Sequence, residues 1–444
     1  LHGLSLYSCT MAMTVLDLFA GCGGLSAGFE KAGFEVIAGV DYDEPALKTF
    51  KHNHRRSHSI LLDLSRADAM EQIREKIGLE TKIDVITGGP PCQGFSLTGP
   101  RKFNDARNSL YMSMLRAVEE FSPSAFLIEN VRGMASLYQG KVLEDVVTQF
   151  EKVGYNVEPL ILNSANFGVP QVRHRLFIIG IKEEFGEFEF PEHSHDEQDW
   201  ITCMEAISDL PTLENDLGSN ESTYDKPPES DYQRKLRGSC NVLYNHLGTR
   251  HTEHVKSVIA QVPEGGNHKD LPPGVGDSRR FNEAWTRYHS QRPSRTIDTG
   301  HRNHFHYRWN RVPTVRENAR LQSFRDDFEF LGTKTQQNRQ VGNAVPPLLA
   351  QALGRKIMLT IGPESLRVVI PWMFKYSDLK NIDEDDLRKV IALIQSSPSD
   401  QSEELKKVIE ELKKINAKVT TSKKNKVLDA LITALFGLAL GSMG

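Results

Sequence analysis

Cysteine is scarce and irregularly placed. Cys9, Cys22, Cys92, Cys203 and Cys240 are an odd set in 444 residues, which argues against a disulfide framework and for a reducing compartment. No two stand at the spacing of a zinc-ligand pair, so no metal centre is expected. Long apolar runs are missing too. The last apolar stretch, within residues 425–440, is shorter than the ~20 residues that cross a bilayer. The opening Leu1-His2-Gly3-Leu4-Ser5 lacks the basic region and apolar core of a signal peptide. These absences predict a cytoplasmic protein with no membrane partner. Hydrophobic and charged fractions of 39% and 25% suit a globular chain of two or three domains.

Excess charge is nearly absent overall, at −4, but the balance conceals a split. Residues 182–231 hold 16 acidic and two basic side chains, a local charge of −14, which leaves 52 basic and 42 acidic residues elsewhere, or +10. A polyanionic partner is therefore compatible with the chain if the acidic stretch faces away from it.

The first informative stretch is Lys82-Ile83-Asp84-Val85-Ile86-Thr87 running into Gly88-Gly89-Pro90-Pro91-Cys92-Gln93-Gly94-Phe95-Ser96. The apolar run reads as a buried parallel strand. The glycines permit close approach of a ligand, and the prolines stiffen the turn. A lone cysteine is more often a buried apolar residue than a reactive one. On a rigid polar loop past a strand's C-terminus, it becomes a candidate nucleophile. Thr14 to Ala20 reads as a strand, Gly21-Cys22-Gly23-Gly24 as a turn, and Leu25 to Ala32 as a helix closed by Gly33. Asp41 ends the next apolar run about 20 residues after Gly21, the spacing at which a carboxylate meets a ribose hydroxyl. Ala125-Phe126-Leu127-Ile128 reads as a buried strand that delivers Glu129, and Arg173 and Arg175 fall on one face ahead of the strand Leu176–Gly180.

In this order the segments resemble the DNA (cytosine-5)-methyltransferases over residues 14 to 355. Pro91-Cys92-Gln93 resembles the family's catalytic loop, Glu129-Asn130-Val131 its acid, and Gln171-Val172-Arg173-His174-Arg175 its paired-arginine motif. The resemblance implies an α/β fold: a Rossmann-like sheet domain that binds S-adenosylmethionine (AdoMet), a smaller target-recognition domain, and a helical C-terminal extension. It implies Cys92, Glu129, Arg173 and Arg175 as catalytic residues. Arg175 would take the base's O2, with Arg173 and Gln171 ordering the loop or backbone. It places AdoMet against Asp17, Phe19, Gly21, Gly23, Gly24 and Leu25, with Asp41 and Tyr42 at the ribose and adenine. Asp63 and Leu64, Pro91, Leu110, Asn343 and Val345 complete the pocket. Asp41 stands where the family usually has Glu, one methylene longer. The implied partner is double-stranded DNA, bound by a monomer. The chain resembles the bacterial restriction–modification type. A tRNA substrate, used by one relative in the family, is the alternative within the same chemistry, and a catalytically dead regulator the alternative outside it.

The expected organisation is a catalytic domain over 11–181, an acidic connection and recognition region over 182–290, a return to the catalytic domain over 291–360, and a helical extension of unassigned role over 361–444. Residues 182–231 read as connection and outer surface. Residues 232–290, with glycine loops and basic side chains such as Arg279 and Arg280, read as the base-reading face. From Arg279 to Arg311, eight arginines interleave with Trp285, Tyr288, Phe305, Tyr307 and Trp309.

Overall fold

Seven strands form one sheet: β1 (Thr14–Leu18), β2 (Glu35–Asp41), β3 (His58–Leu61), β4 (Val85–Gly88), β5 (Ala125–Val131), β6 (Tyr155–Asn163) and β7 (His174–Lys182). The computed structural model describes residues 12–91, 109–214, 216–275, 284–300 and 303–362. Strand order is β3-β2-β1-β4-β5-β7-β6. β1 to β5 run parallel, and β7 lies antiparallel between β5 and β6. The parallel strands are near-continuous Val, Ile and Leu because both sheet faces are covered. Their covers include α1 (Gly24–Ala32), α2 (Glu44–Asn53), α3 (Ala69–Ile77), α4 (Ser109–Phe121) and α5 (Lys141–Glu151). Packing is tight at Gly180 of β7, where a Cβ would sit 2.0 Å from the Phe126 ring, which itself lies 4.2 Å from Phe150.

Strand order reverses between β1 and β4, which opens a crevice at the C-terminal edge of the parallel strands. Because β7 is antiparallel, its first residues reach that same edge. Pairing of Glu129 with Phe177 and of Val131 with Arg175 carries β5 past Ile128. Glu129 therefore lies within the strand rather than just after it, a difference invisible without the partner strand.

The rest of the chain wraps a second core built on α6 (Cys203–Ile207), α7 (Asp231–Arg237), α9 (Val315–Leu321) and α10 (Lys334–Asn343), while Ile259 of α8 (Glu253–Gln261) joins a separate small cluster and α11 (Pro347–Ile361) follows α10. α9 is buried at every position. Thr314 and Glu317 close a capping box at its start. Two expectations are corrected here. Residues 182–231 are not only connection and surface: Cys203, Ala206, Ile207 and Leu210 join the core, and Asp209 is fully buried. The arginine–aromatic stretch is partly interior: Arg287, Tyr288, Phe305 and Arg311 are buried, while Arg292, Arg295 and Arg308 are exposed. Arg311 holds Glu317 through two bonds of 2.7 and 2.6 Å. Gln340 to Asn343 finish α10.

The compact unit Thr14–Gly354 holds every site discussed below. Of the other unit, Leu1–Met13 with Arg355–Gly444, the described part is residues 12–13 and 355–362. The helices expected after residue 361 lie outside the described residues, as do Arg279 and Arg280. Among the described residues no helix is long and apolar enough to cross a membrane.

Arg320 of α9 is fully buried between two acids, bonding Asp326 at 2.5 and 2.6 Å and Asp209 at 2.9 and 3.2 Å. Removing one partner of a buried ion pair strands the other charges without water. Arg320→Leu is expected to lower unfolding stability by about 3–5 kcal/mol, read by chemical denaturation. A loss below 1 kcal/mol would contradict this role.

Candidate active site

A cleft of about 500 Å³ lies at the sheet's C-terminal edge, within the roughly 300–1,000 Å³ of small-molecule sites. Its walls come from distant parts of the sequence: the turn after β1, the end of β2, Gly89 to Pro91 after β4, Glu129 to Val131, Arg173 and Arg175, residues 296–299, and α10 with Asn343 to Val345.

At one end stand the acid and the arginines. Glu129 Oε1 is 3.0 Å from Arg175 Nε, both side chains largely buried. Burial pushes the Glu129 carboxyl above its ordinary pKa, while the charges of Arg175 and Arg173 oppose that rise. Arg175 also donates to the His174 carbonyl at 2.8 Å. Asn130 donates to the Pro90 carbonyl at 3.1 Å, tying the end of β5 to the loop after β4. Cys92 itself lies outside the described residues, and Pro91 beside it lines the cleft.

Arg173 does a different job from Arg175. Its guanidinium donates to the carbonyls of Ile297 at 3.2 Å and Gly342 at 2.9 Å, and the side chain is buried. It is thereby engaged in backbone support rather than available to a phosphate. Gln171, fully buried, accepts from the Ile297 N–H at 2.9 Å and donates to Gln322. Around them the Val172 N–H donates to the Ser294 carbonyl at 2.8 Å and the Ser294 N–H to the Pro170 carbonyl at 2.9 Å.

At the other end is a cradle suited to a nucleoside. The Asp41 carboxylate accepts from the N–H of Gly21 and of Asp43, both at 2.8 Å. Its burial raises the pKa, and those two N–H groups hold it down. Tyr42 next to it leaves 63% of its surface exposed, an open aromatic face for a base. Phe19, Gly21, Gly24, Leu25, Asn343 and Val345 line the same cleft. The donor set thus fits AdoMet: a fixed carboxylate for ribose hydroxyls, an aromatic face, and glycines along the wall.

Other expected cofactor residues stand elsewhere. Asp17 is fully buried and accepts from Ser26 at 2.6 Å and Thr87 at 2.8 Å, so it anchors α1 and β4 beneath the turn. Gly23 supports the turn without lining the cleft. Leu64 is buried, its carbonyl held by Ser113 and Arg116. Asp63 is exposed and accepts from the Ser65 N–H. Neither is among the described walls. The Leu110 side chain lies outside the described residues. Sequence reasoning missed Arg339, which lines the cleft and bonds Asp43 at 2.6 Å, and Asp298 and Thr299. No local pattern marks them, since they come from an irregular loop and a polar helix.

Asp41→Ala removes a preoriented charged acceptor. The expected outcome is AdoMet binding weaker by about 1–3 kcal/mol, measured by calorimetry. Unchanged affinity would remove Asp41 from the cofactor site.

Comparison with known proteins agrees with this geometry. The family model described as C-5 cytosine-specific DNA methylase matches residues 13–359. The Type II methyltransferase M1.HphI of Haemophilus parahaemolyticus is 38% identical over 358 residues, covering 78% of this chain and 87% of that protein. M.DdeI of Desulfomicrobium norvegicum is 36% identical over 370 residues, covering 78% and 88%. A solved E. coli structure, described as a prophage-encoded DNA modification methyltransferase, superposes with a TM-score of 0.64 at 28% identity, covering 79% of this chain and 99% of that one. Dnmt2 of S. pombe, at 17% identity and a TM-score of 0.53, shares the fold. With the family's model matched over most of the length, the chain belongs to the C-5 cytosine-specific DNA methylases, enzymes that take their methyl group from S-adenosylmethionine.

Proposed function

We propose that the cleft methylates C5 of a cytosine flipped out of double-stranded DNA, with Cys92 as nucleophile. The observation that carries this reading is the meeting of the Glu129–Arg175 pair and the Asp41 cradle in one cleft that runs to Pro91, one residue before Cys92.

Cytosine C5 is too weak a nucleophile to take a methyl group unaided. The Cys92 thiolate adds at C6: the C6–S bond forms, and the C5–C6 π pair shifts to C5. Glu129, held toward its protonated form by burial, donates to N3 and draws electron density from the ring as sulfur adds. Arg175 fixes that carboxyl and offers its remaining N–H groups to the base's O2. AdoMet, when bound, supplies an electrophilic methyl carbon on a sulfonium. Asp41 and Tyr42 hold its nucleoside end, and the turn after β1 holds its flank. Loss of the C5 proton and departure of the Cys92 sulfur restore the aromatic ring. A stacked base cannot reach such a cleft, so the cytosine leaves the helix first.

The arginine assigned with the catalytic set, Arg173, acts through the backbone it supports and is a positioning residue. Residues 232–290 supply the base-reading surface, and exposed Arg292, Arg295 and Arg308 suit phosphate contact. The chain acts as a monomer in the bacterial cytoplasm, as the modifying half of a restriction–modification pair.

Cys92→Ser is expected to lower methyl incorporation into DNA by on the order of 10³-fold or more, with AdoMet binding retained, because a hydroxyl is far less ionised than a thiol near neutral pH. The check is transfer of labelled methyl to DNA by the purified variant. Substantial turnover would rule out covalent addition by Cys92.

A further inference from the structure

The turn that flanks the cofactor cleft is held from its other side by a histidine with no role in the chemistry. Gly23 has φ 94, a left-handed conformation open to glycine, and its N–H bonds the Ala20 carbonyl at 2.9 Å. A Cβ at Gly23 would lie 2.3 Å from His54 Nε2 and 3.0 Å from the Phe50 ring. The imidazole therefore occupies the space directly beneath the turn. His54 closes the C-terminus of α2, and its side chain is 1% exposed. Its ring packs on Phe50 at 4.5 Å and meets the edge of Phe328 at 6.1 Å. Nδ1 lies 3.0 Å from Glu30 Oε2, on the helix that begins at Gly24. Nε2 lies against Gly23, and neither ring nitrogen makes a well-aligned hydrogen bond among the described residues.

His54 does not line the cofactor cleft. It lines a separate cavity of about 420 Å³, together with Glu30, His52, Arg325 and Phe328. One rigid ring thus touches Gly23 and, through Glu30, the helix that follows. A glycine turn has more backbone freedom to lose than any other. Left unsupported, it would have to be ordered by the cofactor at a cost to affinity.

We infer that His54 is a positioning residue for AdoMet binding: its ring fixes the Gly21–Gly24 turn in the conformation that receives the methyl donor. The inference rests on the reading that this turn flanks the donor. A buried nitrogen without a partner is costly, and a purely space-filling role at this position would be met better by an apolar side chain.

The test uses the full chain and measures S-adenosylhomocysteine affinity by calorimetry, KM for AdoMet, KM for DNA, and Tm. His54→Ala is expected to weaken S-adenosylhomocysteine binding and raise KM for AdoMet about tenfold, leaving KM for DNA unchanged. His54→Gln, which fills most of the same volume, shifts both in the same direction and serves if the alanine variant does not fold. Gly23→Ala meets the imidazole and also strains the φ 94 backbone, so its effect on affinity shrinks but does not vanish in the His54→Ala background. Affinity equal to wild type in both His54 variants, even with a lower Tm, overturns the inference. So do effects of Gly23→Ala and His54→Ala that simply multiply. Wild type that fails to bind S-adenosylhomocysteine overturns the donor-site reading itself, a result distinct from equal binding by wild type and variants.

Discussion

Everything in the cleft depends on how two remote stretches are sewn to the sheet. The Arg173 guanidinium grips the carbonyls of Ile297 and Gly342, 124 and 169 residues away. Gln171 bonds Ile297 and Gln322 beside it. Both side chains are buried, where a hydrogen bond to a charged donor is strong and an unmade one is expensive. These bonds bring residues 296–299 and the end of α10 against the turn after β1, so that the Glu129–Arg175 pair and the Asp41 carboxylate face one space. Close packing reinforces them: a Cβ at Gly342 would sit 2.2 Å from the Asp298 carbonyl. Without this seam the sheet edge would still present Glu129 and Asp41, but only as two open corners.

The same economy explains why so many arginines are interior. Arg173, Arg287, Arg311, Arg316 and Arg320 are all buried, each with several backbone or carboxylate partners. The planar fork of guanidinium satisfies several acceptors at fixed angles, which suits a core assembled from irregular loops. Arg316 alone holds the carbonyls of Tyr244, Arg325 and Phe328. Charge that looks from the sequence like a nucleic-acid face is therefore partly mortar, and the exposed remainder is smaller and more selective.

Much of the catalytic half was legible because its signals are local. Short Val/Ile/Leu runs bounded by glycine mark β1, β2 and β4, Gly33 marks the end of α1, and Asp41 sits at a distance set by one strand–helix–strand unit. The cysteine loop, Glu129 and Arg175 were legible as motifs. What escaped reading depends on partners far along the chain. β6 shows little alternation because its pairing is set by β7 rather than by its own pattern. α6 hides in an acidic stretch because only Cys203, Ala206 and Ile207 turn inward. The burial of Arg287 and Arg311 follows from Glu317, Asn310 and carbonyls that composition cannot place. α10 has few apolar residues to carry a helical period, and it is held instead by Gln337, Asn338 and Gln340 bonding to nearby carbonyls. Arg339 and Asp43, 296 apart in sequence, have no signal short of the fold.

We propose that this single cleft places a methyl group on C5 of cytosine in duplex DNA. Bisulfite sequencing of genomic DNA from a host lacking cytosine methylation, grown with and without the expressed chain, tests it most directly. The account predicts cytosines protected from conversion only in expressing cells, all within one short sequence motif. Complete conversion of every genomic cytosine in cells making the folded protein would contradict it.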